Sequence, residues 1–68
     1  MEEKVYISLQ QALKKYDLVA TGGHAKIVIQ NGEVTVDGVV ETRRGRKLYG
    51  GEKIEYMQKV AVVGNVNK

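Results

Sequence analysis

The chain lacks cysteine, tryptophan and phenylalanine, and it has a single histidine. Without cysteine, neither disulfides nor thiolate metal sites can supplement the core. One histidine among scattered carboxylates supplies no zinc-ligand set, so no metal is expected. There is no long hydrophobic run either. Met1-Glu2-Glu3-Lys4 is followed by only Val5-Tyr6-Ile7, which makes neither a signal peptide nor a membrane span. The expectation is a cytoplasmic protein with no membrane partner. Catalytic groupings are missing as well: Ser8 reads as a helix cap, the lone His24 lies across a connection from it, and no pair of carboxylates suggests acid–base division. With little room for a walled pocket in 68 residues, no enzyme activity, cofactor or small-molecule substrate is expected.

What is present is a compact aliphatic composition with a local excess of positive charge. At this size folding buries roughly 60% of the surface exposed by the unfolded chain, so stability is modest. The apolar content is 43%, much of it Val, Ile and Leu, which favours a packed core over a disordered basic tail. There are no internal repeats or linkers, so residues 1–68 are read as one domain with a core of about 8–56. The formal net charge is only +3, yet Arg43-Arg44-Gly45-Arg46-Lys47 places four cations in five positions. Such a cluster is the electrostatic footprint of a polyanion site, most often a nucleic-acid backbone. Arginine adds a planar fork of donors that matches phosphate oxygens. The plainer alternative is a solvated loop partly neutralised by Glu33, Glu41 and Glu52.

Local signals predict the elements around that loop. Lys4 to Ile7 reads as a short strand. Ser8 with Gln11 fits a capping box, opening a helix to about Tyr16. Leu9, Ala12, Leu13 and Tyr16 form its buried stripe, and Lys14 and Lys15 lie near its C-terminal end. Thr21 is the next N-cap, for a helix over about Gly22 to Gln30 that Asn31-Gly32 stops; Ala25, Val28 and Ile29 face inward. Glu33 to Val36 and Val39 to Glu41 flank Asp37-Gly38, the signature of a type I′ hairpin turn. After the basic loop, Leu48-Tyr49 leads into a turn at Gly50-Gly51. Lys53 to Met57 and Lys59 to Val63 read as two strands joined near Gln58, and Gly64 to Lys68 as a frayed tail.

Further candidate contacts are weaker. A helix opening at Thr21-Gly22-Gly23 offers unpaired amides to an anion, with Lys26 one turn later, although two glycines there can equally serve a tight turn. His24 reads as a surface residue able to stack on or hydrogen-bond to RNA. Of the four tyrosines, Tyr6, Tyr16 and Tyr56 are assigned to core or sheet packing. Tyr49, just after the basic loop, is kept as a base-stacking candidate.

The order Leu9-x-x-x-Leu13, Thr21-Gly22-Gly23-x-Ala25-Lys26-x-x-Ile29-x-x-Gly32-x-Val34-x-Val36-Asp37-Gly38, Gly51-Glu52-x-Ile54 resembles the RNA-binding domain first seen in ribosomal small-subunit protein S-four. The tract Val36 to Lys47 looks like the small stand-alone bacterial branch of that family, the YaaA/YbcJ-like proteins. The resemblance implies an α+β fold, with two short angled helices (the αL motif) packed on a small, mostly antiparallel sheet. It implies an RNA surface made by Thr21, Gly22, Gly23, His24 and Lys26, joined by Arg43, Arg44, Arg46 and Lys47 and bordered by Lys14 or Lys15. Many family members carry arginine where this chain has Ser8 and Gly22, which leaves the basic loop to take over part of the grip. The expected partner is structured RNA, ribosomal or ribosome-associated, bound by a monomer. The alternative is an adaptor docking its cations on an acidic protein surface.

Overall fold

The computed structural model describes residues 6–64. Its elements run β1 (Ile7–Ser8), α1 (Leu9–Lys15), α2 (Gly22–Gln30), β2 (Val34–Val36), β3 (Val39–Val40), β4 (Lys47–Leu48), β5 (Lys53–Tyr56) and β6 (Lys59–Val62). They form two antiparallel sheets, β1-β4 and β3-β2-β5-β6, so the fold is α+β as expected.

Both helices begin and end on local chemistry. Ser8 caps α1 through a capping box: its hydroxyl accepts from the Gln11 N–H at 3.1 Å, and the Gln11 side chain accepts from the Ser8 N–H at 3.1 Å. Thr21 caps α2 by accepting from the His24 N–H at 3.1 Å. Each helix closes in a Schellman motif. In α1 the Leu18 and Asp17 amides reach back to the carbonyls of Leu13 and Lys14, with Asp17 in the left-handed region at φ 66°. In α2 the Glu33 and Gly32 amides do the same to Val28 and Ile29, with Gly32 at φ 77°.

The larger sheet alternates as a half-buried surface should. Val34 and Val36 of β2 and Ile54 and Tyr56 of β5 point into the core, in the register Val34↔Tyr56 and Val36↔Ile54. Asp37 and Gly38 both have positive φ, 53° and 85°, as a type I′ turn requires. The core joins these side chains to Leu9, Ala12 and Leu13 of α1, Ala25, Val28 and Ile29 of α2, Leu18 and Val19 of the connection, and Leu48 and Val63. Each large aliphatic side chain fully buried there contributes about 1.5–3 kcal/mol.

Some expectations change. Of the predicted first strand, Lys4 and Val5 lie outside the described residues; pairing is seen at Ile7↔Leu48 and Ser8↔Lys47. The partner strand β4 was not foreseen. Tyr6 is not core: with Ile7 turned inward, alternation turns Tyr6 outward, and it is 47% exposed. Tyr56 is buried, and Tyr16 is half-buried against the core with its hydroxyl accepting from the Gly64 amide at 2.8 Å. Beyond Gly64 the predicted tail lies outside the described residues.

Candidate nucleic-acid interface

The basic loop is pinned to the start of α1 by its backbone. Helices leave their first amides without intrahelical partners; here the Leu9 amide donates to the Arg46 carbonyl at 2.9 Å and the Gln10 amide to the Arg44 carbonyl at 3.0 Å. The loop thus completes the helix end, and the helix fixes the loop.

Gln10 also faces the second helix. Its side-chain amide donates to the Gly22 carbonyl at 2.9 Å, so one residue ties both the arginine loop and the opening of α2. A methyl group on Gly22 would stand 3.2 Å from that Gln10 nitrogen, whereas one on Gly23 would meet nothing within 4 Å. Gly22 therefore serves the contact between helices. At Gly23 an added methyl group would point into open space among the described residues, and its φ lies outside the left-handed region.

Beneath the loop lies Glu41, buried at 8% exposure and the one buried charged residue among those described. Its amide extends the hairpin ladder by donating to the Val34 carbonyl at 3.0 Å. Its carboxylate accepts from the Arg43 amide (3.0 Å), Arg43 Nε (2.9 Å), Arg43 Nη2 (3.2 Å) and Arg46 Nη1 (3.2 Å). The Arg43 side-chain hydrogen bonds lead in holding the Glu41 pKa down at about 2, against the opposing effect of burial. Reciprocally, the Glu41 hydrogen bond raises the pKa of Arg43. Of the three carboxylates considered as neutralisers, only Glu41 acts on the cluster. Glu33 accepts from Asn31, and Glu52 accepts from the amides of Tyr49 and Gly50. Burial pushes the Glu52 pKa up, but these amides and its own outweigh it, and the net shift is downward.

The pairing leaves the cluster usable. Arginine has five N–H donors, and Glu41 takes two of Arg43's, whose side chain is 74% exposed. The Arg44 side chain makes no hydrogen bond or ion pair among the described residues. Arg43, Gly45, Arg46 and Lys47 together line a shallow recess.

A family model described as the S4 domain matches residues 2–64 of this chain. The chain belongs to the S4 domain family. It is 45% identical over 49 residues to RlbA of Bacillus subtilis (strain 168), named as a probable ribosome maturation protein; the match covers 72% of this chain and 69% of RlbA. It is 37% identical over 51 residues to YbcJ of Escherichia coli (strain K12), by its name a candidate RNA-binding protein, over 75% of this chain and 73% of YbcJ.

The other candidates of this S4 domain are distributed unevenly. Lys26 is exposed on α2. His24 is exposed too, its ring edge-on to Tyr56 at 6.1 Å, and it lines a separate recess with Asp17, Met57 and Lys59. Lys14 and Lys15 occupy the end of α1 remote from the basic loop, roughly 9 Å further along its axis. Two of the residues that shape the site gave no sequence signal for that role, and a third stood among the candidate neutralisers. Tyr6 packs edge-on against Tyr49, Gln10 bridges loop and helix, and Glu41 clamps two arginines. Only Glu41 left a trace in the sequence, as an acid beside a basic run. No helix among the described residues is long and apolar enough to cross a membrane.

Proposed function

We propose that this S4 domain is a non-enzymatic RNA-binding module that recognises structured RNA, ribosomal or ribosome-associated, through phosphate contacts and shape. The observation that carries the reading is the double tie made by Gln10, which holds the arginine loop and the opening of α2 to one residue. The names of RlbA and YbcJ point the same way. In this mechanism Arg43's remaining donors, Arg44 and Lys47 engage phosphates, while Thr21, Gly22, Gly23 and Lys26 offer a second line of contact. Because A-form RNA hides its base edges in a deep groove, such a surface reads backbone shape more than paired sequence.

Gel-shift titrations of structured RNA between 50 and 200 mM salt test this. Engaging three or four phosphates predicts a loss of roughly 50-fold or more over that range. Replacing Arg44 and Lys47 by alanine leaves the Glu41 pairs intact and should flatten the log–log salt slope by about 2. Salt-insensitive binding, or an unchanged slope in that variant, would sink the proposal. Partners retained in a pull-down after ribonuclease treatment would favour protein docking instead.

A further inference from the structure

The two-stranded sheet has an outer face whose two tyrosines the phosphate reading does not use. Its register is Ile7↔Leu48 and Ser8↔Lys47, and Tyr6 and Tyr49 flank the Ile7↔Leu48 pair, one on each strand. Alternation turns Ile7 and Leu48 inward, leaving Tyr6, Tyr49 and Lys47 together on the outer side. Tyr6 is 47% and Tyr49 42% exposed. Their ring centroids are 6.1 Å apart with the planes inclined at 66°, so the rings form a corner. The Lys47 ammonium stands 5.1 Å from the Tyr6 centroid, and Lys47 also lines the arginine recess. An exposed aromatic corner thereby adjoins the basic loop through a shared lysine.

Resting on the RNA reading above, we propose that Tyr6 and Tyr49 form a stacking platform for one unpaired base, so that the site takes a helix adjoining an unpaired nucleotide rather than continuous duplex. A nucleotide presents a flat π-face and a phosphate anion. The corner offers aromatic surface to the first, and Lys47 with the arginine loop offers charge to the second. Stacking on tyrosine accepts any base, because every base has a π-face. This platform therefore selects for an unpaired position and not for a sequence. A purely structural role for the pair, as cross-strand packing of a short ribbon, predicts no preference among RNAs.

The test compares a perfect RNA duplex with the same duplex carrying one unpaired 2-aminopurine, using the full chain. The wild type should bind the second RNA roughly 5- to 150-fold more tightly, the range for one stacked base, and should quench the 2-aminopurine fluorescence. Tyr49→Ala and Tyr6→Ala/Tyr49→Ala should lose both preference and quenching while retaining duplex binding. Tyr49→Phe should keep both, and thermal melts identify any variant that is not folded. Equal wild-type affinity for the two RNAs, or a preference that survives in the folded double variant, overturns the platform and leaves the phosphate reading standing. Binding to neither RNA overturns both.

Discussion

Replacing Glu41 by glutamine removes the negative charge at the centre of the basic loop while keeping the side chain's size. A pKa lowered from 4.5 to about 2 corresponds to about 3 kcal/mol of preferential stabilisation of the charged form. Arg43's side chain is 74% exposed, so solvent screening reduces the figure, and a loss of about 2 kcal/mol at neutral pH is expected. For a domain of this length that is a large share of roughly 3–10 kcal/mol of total stability, and it lowers the melting temperature by about 10 °C. The folded-state pKa is depressed. The contribution is therefore fully present above the ordinary value of 4.5 and is lost as pH falls toward about 2. Urea and thermal denaturation followed by circular dichroism should show the gap between wild type and Glu41→Gln narrowing to less than about half its neutral value by pH 3. Subtracting one protein from the other cancels the remaining carboxylates. A gap that stays constant from pH 7 to 3 would show that the loss is one of packing, and no gap at pH 7 would show that the cluster stabilises nothing.

Gly23→Ala should have effects of opposite sign. Alanine favours the helix by up to about 1 kcal/mol over glycine and meets no atom within 4 Å, so the melting temperature should rise, whereas RNA affinity should fall if a phosphate backbone approaches there; a gain in both would remove Gly23 from the interface. Asp17→Gly should raise stability by about 1 kcal/mol in urea denaturation, because Asp17 holds φ 66° in the α1 cap and glycine adopts that conformation without a Cβ penalty; an unchanged midpoint would show that the aspartate compensates locally.

The helices were legible because their instructions are local. A capping serine with glutamine three residues on, a capping threonine, a 3.6-residue stripe and a glycine after the last turn each act within a few positions. The Asp37-Gly38 turn is equally local and fixed the central hairpin. Strand β4 was not legible, since two residues carry no period and its partner lies some forty positions away. That missed pairing is why the sequence left Tyr6 open between core and sheet packing: its face depends on the register of Ile7 with Leu48, which gives it the second. The roles of Gln10 and of the two glycines rest on how the helices meet. Nothing in Thr21-Gly22-Gly23 distinguishes the glycine that accommodates Gln10 from the one that faces open space.

The carboxylate within the cationic cluster divides the loop into two kinds of charge. Four like charges within five residues repel, and a carboxylate buried alone would be costly; the pairing relieves both. Arg43 and Arg46 are committed to Glu41 and hold it ionised, and Glu41 in return fixes the direction of their guanidinium planes. Arg44 and Lys47 take no part in that arrangement. On the proposed RNA reading, stability and polyanion affinity are therefore carried by overlapping but separable groups. Changes at Arg44 and Lys47 should move affinity with little effect on folding, whereas a change at Glu41 must move both. The same division accounts for a basic surface on so small a domain. The loop backbone caps α1 and two arginines close over a buried anion, so on the proposed reading the guanidiniums of Arg43 and Arg46 need less ordering at the moment of binding.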